Sequence, residues 1–187
     1  MEIVTERLLV RPLRAEDLEA FVAYRSDPDV ARYQSWDSPY SMADAELLLS
    51  SQRGLGFGQP GVGLQVAVVD RASGVVCGDC FVRIASDQPR TAEIGVTLAR
   101  ASQGRGLATE ALRAVLAELF ELHGMHRVFA QADDRNVAVQ RLLERLGFRC
   151  EARHVQADWF KGEWSTLRLY AMLNGEWRLH QDAEQQE

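Results

Sequence analysis

The chain has few cysteines, no long apolar run and no surplus of positive charge, and each shortage excludes a class of protein. Three cysteines, an odd count, do not make a disulfide framework. No apolar stretch approaches the roughly 18–20 residues that a membrane-spanning helix needs. Residues Met1 to Arg7 lack the basic start and apolar stretch of an export signal, so a cytoplasmic setting with no membrane partner is expected. Lys plus Arg number 21 against 27 Asp plus Glu, a formal charge of −6. That balance argues against a nucleic-acid partner, which needs a basic face to neutralise phosphates. It agrees better with a small-molecule or amine substrate. What is present is a chain of 187 residues, 47% hydrophobic and 26% charged, long enough for one domain with a substantial core. That domain is expected over residues 1–180, with the polar, acidic stretch 181–187 as a disordered tail.

Apolar periodicity gives a coarse order of elements. A first strand surrounds Leu8-Leu9-Val10 and ends near Pro12. Leu18, Phe21, Val22 and Arg25 recur at helical spacing, and Asp27-Pro28-Asp29 breaks that helix. A second helix starts after Ser41, a good N-cap, and runs to about Arg53. Three strands follow the glycine-rich loop 54–63: Leu64 to Val69, Val75 to Ile84 and Thr91 to Leu98. The clearest helix is Leu107 to His123, with Leu107, Ala111, Ala114, Val115, Leu119 and Leu122 as its apolar stripe. A strand at Arg127 to Ala132, a helix from Val137 closed by Gly147, and a hairpin turning at Phe160-Lys161-Gly162-Glu163 complete the order. A meander followed by strand–helix units implies a mixed sheet covered by helices.

The most informative segment is Gln103-Gly104-Arg105-Gly106-Leu107-Ala108-Thr109, between a strand and the longest helix. Glycines there permit unusual torsions, so several backbone N–H groups can converge on one anion. The helix N-terminus adds unpaired donors and a favourable dipole. A pyrophosphate is the natural guest, with Arg105 or Arg100 adding positive charge; an ordinary tight turn is the plain alternative. The segment is not a Walker loop, and Thr109 stands where a dinucleotide fingerprint needs its third glycine.

Gln103-x-x-Gly106-x-Ala108 resembles the Gln/Arg-x-x-Gly-x-Gly/Ala signature of the GCN5-related N-acetyltransferases. Thr5 to Leu13, Asp27 to Tyr33, Asn136 to Phe148, Lys161 to Trp164 and Tyr170 to Leu173 resemble, in family order, segments of the subgroup of ribosomal-protein N-terminal acetyltransferases. The resemblance implies an α+β (mixed α/β) fold, a mostly antiparallel sheet of about seven strands with about four helices and a splayed parallel pair at the cofactor cleft. It implies acetyl-CoA as co-substrate, an amine acceptor and no metal, and it admits a homodimer. Thr91 to Leu98 and Arg127 to Ala132 would be the splayed strands. Val96, Thr97 and Leu98 would pair with the pantetheine arm; Gln103, Gly104, Arg105, Gly106, Leu107, Ala108 and Thr109 would hold the pyrophosphate. Asn136 matches a cofactor contact, and is equally a helix N-cap. Glu93 is the candidate base, either directly or through water, against a purely structural strand carboxylate. The family's Tyr and Ser acid positions fall on Leu143 and Val139; Tyr33 and Tyr170 are the substitutes on offer, against the favoured reading of each as a core or rim aromatic. That gap leaves open an impaired acyl-CoA-binding module, another acyl group or a hydroxyl acceptor.

Other features read as structural. Cys77 and Cys80 have metal-like spacing but only Cys150 remains as a partner, and residues three apart on a strand face opposite sides. His123 and His126 read as surface histidines. Trp36 and Tyr40 belong either to packing or to the acceptor pocket. Trp159, Trp164 and Trp177 are expected on the C-terminal hairpin.

Overall fold

Alternating side chains give the central sheet two apolar faces. In strand β3 (Gly63–Asp70), Val66 and Val68 enter one hydrophobic cluster while Ala67 and Val69 enter another. The computed structural model describes residues 2–88 and 90–184. Its strands are β1 (Ile3–Val4), β2 (Leu8–Pro12), β3, β4 (Val76–Ile84), β5 (Thr91–Leu98), β6 (Arg127–Asp133), β7 (Arg149–Phe160) and β8 (Glu163–Leu173). They form one sheet in the order β1-β2-β3-β4-β5-β6-β8-β7. Only β5 and β6 are parallel; every other neighbouring pair is antiparallel.

Helices cover both faces. The larger cluster packs α4 (Leu107–Ala117), α5 (Val137–Arg145) and α6 (Asn174–Glu184) against one side. The smaller packs α1 (Leu18–Arg25), α2 (Pro28–Ala31) and α3 (Met42–Ser51) against the other. Ser41 caps α3 as expected, its Oγ accepting from the Asp44 amide at 3.1 Å while Asp44 returns the bond. A bidentate ion pair buried from solvent ties β2 to the turn before α1: Arg11 donates to Asp17 at 2.6 and 2.8 Å.

Four expectations need correction. Leu122 is exposed, and Leu112, Leu116 and Phe120 are buried instead. After Ala117 the helix widens into a π turn over Glu118–Leu122, and the extra residue per turn rotates Leu122 away from the core. The tail expected from 181 begins inside α6, which runs to Glu184; residues 185–187 lie outside the described residues. Trp177 is the reason that helix docks. Its buried ring stacks on Phe120 at 5.8 Å and its indole N–H donates to Glu121 at 3.0 Å, so it does not belong to the hairpin. Finally, Cys77 and Cys80 share a face. Val68 opposes Gly78 but Val69 opposes Val76, which leaves Cys77 as an extra bulged residue and cancels the alternation. Burial pushes both thiols up, Cys77 to about 11. Among the described residues no His, Cys, Asp and Glu group has metal-binding geometry, and no helix is long and apolar enough to cross a membrane.

The bulge brings Gly78 against the end of β5. A Cβ there would sit 2.3 Å from the Thr97 carbonyl and 2.5 Å from the Leu98 side chain. Gly78→Ala is therefore expected to lower unfolding free energy by about 1–3 kcal/mol. Urea melts of the two proteins check this; superimposable curves would show that β5 yields freely.

Candidate active site

Strands β5 and β6 pair over only three positions, Thr91–Arg127, Ala92–Val128 and Glu93–Phe129. Beyond these they part, although β5 continues to Leu98 and β6 to Asp133. Each remains paired along its outer edge, β5 with β4 as far as Leu98–Gly78 and β6 with β8 as far as Asp133–Leu167. The inner edges present main-chain N–H and C=O groups without a strand partner.

A cleft of about 550 Å³ opens there, and Val96, Thr97, Leu98, Gln103, Gly104, Gly106, Leu107, Ala108, Thr109 and Asn136 all line it. That volume is within the roughly 300–1,000 Å³ of small-molecule sites. Arg105 is the one residue of that set outside the lining. Its side chain is exposed and its carbonyl accepts from Arg7 Nη1 at 2.9 Å. Arg7 also binds Glu110 at 2.7 Å and so braces the turn against α4. The Gln103 amide donates to the Leu98 carbonyl at 3.0 Å, tying the turn to the end of β5.

The turn itself is shaped by glycine torsions. Gly104 and Gly106 have φ of +72° and +77°, the left-handed region, and Gly106 is the N-cap of α4 with no side chain capping it. From Gly104 to Thr109 no main-chain N–H has an acceptor among the described residues. A Cβ on Gly104 would meet nothing within 4 Å, and one on Gly106 only Arg7 Nη2 at 3.6 Å. The result is an open concave row of amide donors at the positive end of an eleven-residue helix. Such a cradle suits an anion such as a diphosphate in charge and donor chemistry.

Asn136 is a helix cap at the edge of the cleft. Its Oδ1 accepts from the Val139 amide at 3.3 Å as the α5 cap, and the residue also lines the cleft. Deeper, where the strands separate, a smaller cavity of about 120 Å³ is lined by Ile94, Val96, Ala130, Asp133, Val139 and Leu143, among others. Leu143 and Val139 thus give it an apolar floor. Of the two substitute phenols, Tyr33 lines both cavities, whereas Tyr170 is fully buried with its hydroxyl donating to Glu144 at 3.2 Å.

Glu93 is the last β5 residue to pair with β6, and it points to the other face of β5 from Ile94. Its Oε2 accepts from Arg83 Nε at 3.0 Å and from Arg83 Nη2, leaving Oε1 without a partner among the described residues. Asp133, which the sequence reading passed over, closes the end of β6. Its oxygens accept from the Arg135 amide at 2.8 Å and from Nε and Nη2 at 2.9 and 2.7 Å. Those guanidinium bonds outweigh burial and hold its carboxyl below the usual range.

A further set of residues was missed. Asp79, completely buried, accepts from the Tyr24 hydroxyl, from Gln65 and from Arg25 Nη2, the last at 3.1 Å. The Arg25 guanidinium is stacked 4.0 Å from the Phe21 ring centre and 3.8 Å from that of Trp36. Trp36 and Tyr40 therefore pack over a buried cation, and burial pushes the Tyr24 phenol up. An Arg at helical spacing among apolar residues was the available signal.

The sequence profile described as an acetyltransferase (GNAT) domain matches residues 7–149. The chain belongs to the GNAT acetyltransferases. A GNAT-family acetyltransferase from Bacillus anthracis superposes with a TM-score of 0.83 at 26% identity, over 94% of this chain and 99% of that one. An uncharacterised N-acetyltransferase, p20 of Bacillus licheniformis, is 25% identical over 175 residues, 94% of this chain and 97% of its own. A spermidine N-acetyltransferase from Vibrio cholerae, solved with CoA and spermine, shares the fold, with a TM-score of 0.79 at 20% identity over 93% and 99% of the two chains. The eight-stranded mixed sheet with one parallel pair is thus the GNAT fold, with one strand and two helices more than the sequence pattern counted.

Because Gly106 is left-handed but open to solvent, Gly106→Ala should cost only the torsional strain, about 1–2 kcal/mol. Thermal denaturation of purified protein reads this. A loss several times larger would mean that the turn is packed and not an open cradle.

Proposed function

We propose that this GNAT acetyltransferase transfers the acetyl group of acetyl-CoA to a primary amine, a protein N-terminus or a small amine, by direct attack with both substrates bound. The observation that carries this is the row of unpartnered amides from Gly104 to Thr109, opening on the gap between β5 and β6. Gln103, Gly104, Gly106, Leu107, Ala108 and Thr109 would hold the pyrophosphate, with Arg105 contributing its main chain and its charge. The free edge of β5 at Val96, Thr97 and Leu98 would receive the pantetheine arm as a strand partner would. Asn136 would contact the arm from the other side of the cleft. Acetyl-CoA brings an activated thioester; the chain supplies position, a proton acceptor and exclusion of water. A cytosolic location and resemblance to the ribosomal-protein subgroup belong to the same reading.

The amine must lose its proton before it can attack. Glu93 is the base in this reading, through Oε1, the oxygen that Arg83 leaves open, with a bridging water allowed. The developing oxyanion would take a main-chain N–H near Val96 on the unpaired edge of β5. Tyr33 is the phenol on the cleft and the candidate proton donor to the departing thiolate; a thiolate is also a good enough leaving group to depart into water.

Two variants separate cofactor binding from chemistry. Glu93→Gln should lower kcat by about 10²-fold while the Kd for CoA stays as in the parent. Undiminished turnover near neutral pH removes Glu93 as the base. Gly106→Glu places a carboxylate where the diphosphate would sit and should raise the Kd for CoA by about 10²-fold or more, which calorimetry measures. Unaltered CoA affinity contradicts the placement, and tight CoA binding with no transfer to any amine favours an acyl-CoA-binding module.

A further inference from the structure

The chain contains a single lysine, Lys161, against twenty arginines. It sits at the turn of the β7–β8 hairpin in a left-handed conformation, φ +50°, which a non-glycine residue keeps only where its surroundings hold it. Its ammonium reaches across the fold and donates to two main-chain carbonyls, Ala31 and Trp36, both at 2.7 Å. Asp37 stands 3.9 Å away, and the Phe160 ring centre 5.4 Å away. A tetrahedral ammonium can bridge two carbonyls that close the ends of a short segment; a planar guanidinium fits that geometry less well.

The bridged segment carries Tyr33 and Gln34, and both line the main cleft and the inner cavity where the strands part. A second link runs from the same hairpin turn. Glu163 accepts from Arg135 at 2.5 Å, and Arg135 lies 5.8 Å from the centre of the Tyr33 ring. Tyr33 also borders a cavity of about 300 Å³ formed with Arg32, Arg135, Phe160, Lys161 and Glu163, on the outer side of the cleft. The far edge of the segment is already fixed by the buried Arg25 under Trp36. Its near edge is the buried end of α2, where the Ala31 carbonyl accepts from the Gln34 amide at 2.9 Å as well as from Lys161.

Resting on the acetyltransferase reading, we infer that Lys161 is a positioning residue. By holding the carbonyls of Ala31 and Trp36, it fixes Tyr33 and Gln34 as the wall past which the acceptor amine enters. The β7–β8 turn thereby sets the affinity for the acceptor, while the cofactor cradle has its own braces in Arg7 and Gln103. Among the described residues no hydrogen bond or ion pair joins Lys161 to the amide cradle or the α4 N-terminus, so binding of CoA should register the change far less than binding of the acceptor.

The test uses the full chain with Lys161→Met and Lys161→Arg. Lys161→Met should raise the acceptor KM by about 10-fold; kcat should change far less, because the thiolate can depart into water without a proton from Tyr33, and the CoA Kd should stay within about 2-fold of the parent. Lys161→Arg, which can still donate to one of the carbonyls but fits the bridge less well, should recover part of the loss. Amide hydrogen exchange should quicken over residues 31–36 in the Met variant and stay unchanged around Gly104 to Thr109. An unmoved acceptor KM, unchanged exchange over 31–36, or a CoA Kd that rises in step with KM each overturns the inference. A parent protein that binds CoA yet acetylates no amine ends the function reading, and this inference with it; turnover with an unmoved KM ends this inference alone.

Discussion

The structure depends on the parting of two parallel strands after three residue pairs. Unpaired backbone polar groups are costly where water is excluded, so strands in a sheet interior normally stay paired along their whole length. Here each strand keeps one full ladder, to β4 on one side and to β8 on the other, so the sheet survives the opening. The wedge is kept open from beneath by side chains. Leu112 of α4 and Val139 and Leu143 of α5 underlie the gap between Ile94 and Ala130.

The opposite wall rests on a buried charge. Asp79 has no solvent exposure, and removing a carboxylate from water is expensive unless its oxygens are fully bonded. Tyr24, Gln65 and Arg25 supply those bonds. Arg25 is in turn short of an acceptor at its buried Nε, and the faces of Phe21 and Trp36 occupy the space on both sides of its plane. The two walls of the cleft thus have different physical bases. The cradle at Gly104 and Gly106 is backbone held by torsion, and the wall at residues 31–40 is loop held by a desolvated ion pair and aromatic stacking. A loop supported in this way is a wall and not a free lid.

Most of the fold was legible because the apolar periodicity was unambiguous. Thr91–Leu98 and the start of α4 at Leu107 fall where alternation and helical spacing put them. The cradle was legible because Gly104 and Gly106 are glycines for a reason that a sequence exposes, the left-handed torsion. What failed were features that depend on one inserted residue or on distant contacts. The π turn moved Leu122 outward and the β4 bulge moved Cys77 inward, and neither leaves a local mark. Helix α6 has a mostly polar sequence, and it docks through Trp177 on Phe120, 57 positions earlier in the chain. The Arg25–Asp79 pair and the reach of Lys161 join residues far apart in sequence, and composition carries no trace of such contacts.

Two carboxylates flank the opening, Glu93 at the start of the gap on β5 and Asp133 at its end on β6, and their surroundings divide their uses. Both oxygens of Asp133 are taken by Arg135, and a carboxylate so fully hydrogen-bonded to a cation is held ionised and is a poor proton acceptor. Its service is to anchor Arg135, which in turn meets Glu163 and Tyr33. Glu93 also meets an arginine, but through one oxygen alone. The second oxygen keeps its lone pairs, and the Arg83 contact orients the group without saturating it. A base for amine deprotonation needs that combination of fixed geometry and unspent acceptor capacity. Of the two acids beside the strand opening, the one on β5 therefore keeps an oxygen open, while the one on β6 is committed to holding Arg135.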